Sequence, residues 1–279
     1  MEPRPRSFYV LAAFFALFLA FLYGPTITIA ILSFQGPGGG LTFPMRGVST
    51  HWFRDLFEQQ AVGDIWGSFR RSFVLGLIVM LVTVVVSVMG GLAFRKHFAG
   101  SMVLFYLTIT SLVIPSILIS LGVGLIWSQS GFPVHWSTSG LGAQLTWTLP
   151  FGLLIMFAVF NRFDASFEEA ARDLGATPWQ VIRHVVLPII APSLIGVALF
   201  GFTLSYDEFA RTLLTAGSNN TLPLEIFGMT TNVTSPVIYA LGTLTTIFSF
   251  CVIGLFLLIV WLTDRRRSRQ GSDAGKGMI

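Results

Sequence analysis

Apolar residues run through this chain in long blocks broken by short polar clusters, and the blocks have the length of a bilayer crossing. A spanning helix needs about 20 mostly apolar residues. Six stretches meet that requirement: residues 8–34, 72–94, 101–127, 143–163, 189–216 and 237–263. After the first comes the Gly/Pro-rich "QGPGGGLTFPMRG", and then "STHWFRDLFEQQAVGDIW", which reads as a short interfacial helix with Trp52 and Trp66 at headgroup level. Trp127, Trp136, Trp147 and Tyr239 fall at block ends as belt residues. "GSNNTLPLEIFGMTTNVTSP" separates the last two blocks, and its two N-x-T sequons carry no weight. The tail "DRRRSRQGSDAGKGMI" is polar, basic and expected to be disordered. One island breaks the alternation: "FEEAARDLGATPWQVIRHVVLPIIAP", from Phe167 to Pro192, is charged and patterned as helix.

Composition agrees with a bilayer. Of 279 residues 53% are hydrophobic and 11% charged, where a soluble domain carries roughly 25% charged residues. Mean hydropathy is +0.76. The fold class is therefore an all-α membrane protein with lipid as its solvent. A net charge of +4 and a pI near 9.6 would suit nucleic acid, but the cations sit at block ends rather than on one basic face, which excludes that partner. Arg4, Arg6, Arg95, Lys96, Arg162, Arg172, Arg183, Arg265, Arg266, Arg267, Arg269 and Lys276 share one side of a six-span arrangement. Arg46, Arg54, Arg70 and Arg71 take the other. The positive-inside rule then places both termini, and the island, in the cytoplasm, with Arg70 and Arg71 as an outer-interface anchor. Residues 1–7 form the cytoplasmic N-terminus, 8–263 the membrane domain and 264–279 the cytoplasmic tail. The first block is too long for a signal-peptide core and lacks a clean A-x-A site, so it is retained as a span.

Little chemistry is available. Cys251 stands alone within an apolar run, so no internal disulfide or thiolate cluster forms. His51, His97, His135 and His184 lack ligand spacing, and neither a metal site nor a cofactor is expected. A G-x-x-x-x-G-K-[ST] phosphate loop does not occur, so ATP chemistry would belong to a separate subunit. A membrane enzyme would need a nucleophile–base or metal set, which the sequence lacks.

Within the island, Ser166 and Glu169 have the spacing of a capping box and start a helix. Phe167, Ala170, Ala171 and Leu174 fall at i, i+3, i+4 and i+7 and make a narrow apolar stripe. Gly175 stands where a helix end wants positive φ. Thr177 and Pro178 restart a second helix as N-cap and first position. Pattern alone fits either an interfacial helix lying on lipid or a docking element for a cytoplasmic partner.

The series Glu169-Ala170-Ala171, three residues, Gly175, nine residues, Val185, one residue, Leu187-Pro188 resembles the EAA motif of ABC-type importer permeases, with Val where the family usually has Ile. "LSYDEFARTLLTAG" and "TLPLEIFGMTTNVTSPVIYALGT" are similar to the second membrane subunit of the spermidine/putrescine branch. The resemblance implies a type I importer permease of six spans in a bacterial inner membrane. Segment 164–188 would then be its coupling element, seated in a groove of an ATP-binding cassette subunit through Glu168, Glu169, Ala170, Ala171, Arg172, Asp173 and Gly175. It also implies a second homologous permease, favoured as a different chain, and an external substrate-binding protein.

The fifth block holds "FTLSYDEFART". About 15 residues from Pro192 at ~1.5 Å each give roughly 22 Å, which puts Asp207 and Glu208 in the outer half of the membrane. Each acid near the bilayer centre costs about 2.5–3.5 kcal/mol, which favours a functional reason for its presence. Arg211 can neutralise one of them, and a negative site remains for a cationic solute, with Tyr206 offering a cation–π face. In the resembled branch such paired acids imply a polyamine. Aminophosphonates, opine-like amines and a secondary transporter are the alternatives, although the inverted repeats frequent in the last are not found. Pro115 predicts a kink in the third span, with the Ser116 hydroxyl placed to cover the freed Ser111 carbonyl.

Overall fold

A computed structural model describes residues 5–58, 63–96, 98–232 and 235–274. Arg4, His97 and Lys276 lie outside the described residues. In chain order the α-helices are α1 (Arg6–Leu32), α2 (His51–Glu58), α3 (Ile65–Phe94), α4 (Ser101–Val113), α5 (Ser116–Gln129), α6 (Leu141–Asn161), α7 (Ser166–Asp173), α8 (Pro178–Val181), α9 (Leu187–Tyr206), α10 (Leu222–Asn232) and α11 (Val237–Ala274). A π-helical turn over Trp136–Gly140 leads into α6, and another over Ile182–Val186 joins α8 to α9. Arg6–Leu32, Ile65–Phe94, Trp136–Asn161, Pro178–Tyr206 and Val237–Thr263 are each long and apolar enough to cross a membrane.

The third apolar block is the exception. It is broken more sharply than a kinked helix: α4 and α5 meet at 108°, and they supply a sixth crossing if the pair is counted as one span. Ile114 is pushed to ψ 128 by the proline that follows, and Pro115 itself takes ψ 130. Two successive extended residues carry the chain out of the helix, where a single lost hydrogen bond would only have bent it. Ser116 does not cover Ser111. The Ser111 hydroxyl instead donates to Thr146 O at 2.6 Å and Thr108 O at 2.8 Å.

Two further boundaries differ from the pattern. The fifth apolar block runs to Ala216, yet α9 stops at Tyr206 and residues 207–217 form turns pinned by polar contacts. α11 continues through the basic tail to Ala274, so residues 264–274 are helical rather than disordered. A span that has already nucleated extends at little cost through Arg and Gln, which are good helix formers.

The described residues fall into two compact units, Met1–Asp64 with Ile226–Phe250, and Ile65–Glu225 with Cys251–Ile279. In the first, the Gly/Pro-rich segment is organised around buried Gln35, whose Oε1 accepts from Arg46 N at 2.7 Å. The Trp52 indole N–H donates to Gln35 O at 2.7 Å and Tyr239 Oη donates to Leu41 O at 2.7 Å. Both rings are thus internal anchors rather than headgroup belt residues, because a buried N–H or O–H seeks a partner.

The second unit is built on α3, α6 and α9. One stripe of α3, including Ser68, Ser72, Gly76, Thr83, Ser87 and Gly91, is buried. Small side chains let helix backbones approach where lipid supplies no hydrophobic drive. A Cβ on Gly76 would meet the Phe202 ring at 3.1 Å, and one on Gly152 would lie 2.9 Å from Thr83 Cγ2 and collide with Ser87. The Thr83 hydroxyl donates to Thr148 Oγ1 at 3.0 Å across the same seam.

Candidate functional site

α7 begins without the expected capping box. Ser166 is already helical and Ala165 occupies the cap position with no side-chain bond. The Asp164 carboxylate accepts from Ser166 N at 2.9 Å, and that bond holds its pKa below the ordinary carboxylate value. Glu168 and Glu169 lie in the first turn, where the helix dipole favours negative charge. The capping box belongs to α8: Thr177 N donates to Gln180 Oε1 at 2.8 Å and Gln180 N to Thr177 Oγ1 at 3.4 Å, with Pro178 first in the helix. Between the two helices Gly175 takes φ +85°. Its N–H donates to Arg172 O at 2.8 Å and Ala176 N to Ala171 O at 3.1 Å, the paired closure of a Schellman turn.

The stripe divides between two sides. Phe167, Ala170 and Leu174 are exposed, Leu174 at 89% and Phe167 at 53%. Ala171 turns inward and lies with Ala176 against a core formed by Met156, Phe160, Val181, Val186, Ile190 and Val197. Glu169, Arg172 and Asp173 surround the exposed face. Glu168 does not: it is 8% exposed, and its carboxylate is shared between Arg95, just beyond α3, and Arg172 Nη2 at 3.1 Å. The Arg95 guanidinium also lies over the rings of Phe160 and Phe163, at 5.3 and 5.1 Å. A cavity of about 460 Å³ beside this pair is lined by Leu92, Lys96, Arg172, Pro178, Val181 and Val186, among others. Sequence periodicity gives no sign of the Arg95 contact, because its partner lies 73 positions away on another helix.

The second candidate cluster follows α9. Tyr206 is buried, stacked on Phe202 at 5.7 Å with Phe69 edge-on at 6.3 Å. Asp207 is exposed and forms no ion pair among the described residues. Glu208 accepts from Arg211 N at 2.9 Å, and its carboxylate stands 3.8 Å from the Arg211 guanidinium. Arg211 is 1% exposed. Its Nη1 donates to Ser116 Oγ at 2.7 Å and its Nε to Thr146 Oγ1 at 3.2 Å. The guanidinium lies 4.7 Å from the Trp147 ring centre, so Trp147 is a partner of Arg211 and not a belt residue. Ser120 Oγ donates to Arg211 O and accepts from Leu214 N, both at 3.0 Å. The break at Pro115 thus presents the start of α5 to the turn after α9, with Arg211 as the tie. Tyr206, Asp207 and Glu208 are adjacent in sequence but differ in access. Asp207 alone combines exposure with an uncompensated charge. No group of three metal-ligating side chains occurs among the described residues.

The chain matches, over residues 86–268, the family described as binding-protein-dependent transport system inner membrane component. The spermidine/putrescine transport system permease protein PotC of Haemophilus influenzae is 27% identical over 254 residues, covering 90% of this chain and 96% of the relative. The putrescine transport system permease protein PotI of Escherichia coli K12 is 28% identical over 264 residues, covering 90% and 89%. A crystal structure of a bacterial ABC transporter involved in the import of the acidic polysaccharide alginate contains a chain of the same fold. Its TM-score is 0.67 at 17% identity, covering 93% of this chain and 98% of that one.

Proposed function

The chain belongs to the family of binding-protein-dependent transport system inner membrane components, and from that premise we propose that it forms half of the path by which an ATP-driven importer admits a small polyamine. It is a multi-pass inner-membrane permease subunit. Its partners are an ATP-binding cassette ATPase, a second homologous permease and an external binding protein that delivers the solute. Both termini and segment 164–188 face the cytoplasm. The observation that carries the coupling role is the exposed apolar stripe of Phe167, Ala170 and Leu174 on a short helix fixed at its end by Gly175. Such a helix buries its stripe only against another body, and surrounding charges set its register.

The substrate class is supported by the charge of the turn after α9 and by the polyamine permeases among the relatives. Glu208 is satisfied by Arg211, which leaves Asp207 to offset the desolvation of a cation in a low-dielectric path. The test is uptake of labelled putrescine by proteoliposomes holding the complete complex and its binding protein. Uptake should require ATP inside and the binding protein outside. Equal uptake by this chain alone, driven by an ion gradient, would mean a secondary transporter and end the proposal.

A further inference from the structure

In sequence, α7 is connected to α6 through residues 162–165 and to α9 through Gly175 and α8. In space it has a further connection, to a helix remote in sequence. Glu168 faces away from the exposed stripe, and its carboxylate reaches Arg95 at the end of α3. Arg95 is held at the same time over Phe160, in α6, and over Phe163, just after it. A planar guanidinium gripped by two rings and a carboxylate has little freedom to swing. The cavity beside the pair leaves the space between the end of α3 and the coupling segment only partly filled by apolar packing, and the ion pair crosses it. α3 in turn is seated on α6 and α9 along its small-residue stripe, where a displacement at its end meets close-packed neighbours and cannot be absorbed locally.

We infer that Arg95 is a positioning residue for energy coupling: through Glu168 it fixes α7 to the end of α3, so that movement imposed on the exposed stripe reaches α3 as well as α6 and α9, to which α7 is joined by the chain. This rests on the coupling role proposed for α7. The pair takes no part in docking, since Glu168 is buried on the inner side of α7 and Arg95 meets it there from the end of α3.

The experiment uses the full complex in proteoliposomes with putrescine as the probe. It reads two quantities: ATPase retained by this chain on purification, and putrescine imported per ATP hydrolysed. Arg95→Gln should retain the ATPase while import per ATP falls about tenfold, within the usual range of intersite coupling. Glu168→Gln removes the same ion pair from the α7 side and should lower the ratio by a similar factor. A merely structural role would lower the yield of complex and leave the ratio alone. An unchanged ratio in Arg95→Gln overturns the inference, and so does loss of the ATPase, which would make the pair part of the dock. If Arg95→Gln does not assemble, Arg95→Lys is measured instead. It keeps the charge and loses the planar stack, and an unchanged ratio there overturns the inference equally. Leu174→Asp separates the underlying premise: it should strip the ATPase, and full retention with full uptake would sink the coupling role itself.

Discussion

At Gly175 the backbone takes φ +85° to close α7 and launch α8. A non-glycine residue in that region costs about 1–2 kcal/mol, and a β-branched one resists it further. Gly175→Val should therefore leave the membrane helices inserted but tilt the stripe, and import per ATP should fall about tenfold in the purified complex. An undiminished ratio would show that the turn is not used. Asp207 and Glu208, adjacent in sequence, should behave differently. Asp207→Asn should raise the putrescine KM about tenfold, or ~1.4 kcal/mol, with an unchanged melting temperature because Asp207 has no ionic partner among the described residues to lose. Glu208→Gln should instead cost on the order of 2 kcal/mol of stability, since it leaves buried Arg211 short of its counter-charge. Thermal unfolding in detergent beside initial uptake rates distinguishes the two outcomes. Equal effects of both substitutions on KM would contradict the assignment.

At the scale of elements, the seam of α3 with α6 depends on absent side chains. Gly152→Val would drive a branched side chain into Thr83 and Ser87 and should cost about 1–3 kcal/mol of stability, read as a lowered melting temperature. Gly122→Ala, in α5, meets nothing within 4 Å and should be neutral. This scale also shows what periodicity can reveal. The long apolar blocks, the Gly175 turn and the Thr177-Pro178 restart were legible because each is a local constraint on one stretch of chain. The size of the break at Pro115 and the early end of α9 were not: the proline announces a bend without its angle, and the turn after α9 is held by contacts between distant segments, as when Arg211 reaches Ser116 and Thr146. The same limit hid Arg95, whose role comes from Glu168 and Phe160 on other helices. It also hid the inward turn of Glu168 and Ala171, because a helical pattern identifies a face without saying which body covers it. Trp52 and Trp147 read as belt residues by position and proved to be anchors, a distinction that rests on partners far along the chain.

At the scale of the whole molecule, a single coupling helix per chain fits one of the two sockets expected of the motor, so the working importer should contain a second permease, and the resemblance to the polyamine branch favours a different chain over a second copy. Native mass spectrometry of the purified complex should find one copy of this chain, and two copies without another permease would refute that choice. The central claim is that α7 touches the motor, and cross-linking tests it most directly. A photoreactive side chain at Leu174, the most exposed position of the stripe, should capture the ATPase subunit as its main product in native membranes. The same group at inward-facing Ala171 should not. Capture of lipid or of this chain alone from Leu174 would contradict the account and leave α7 an interfacial helix.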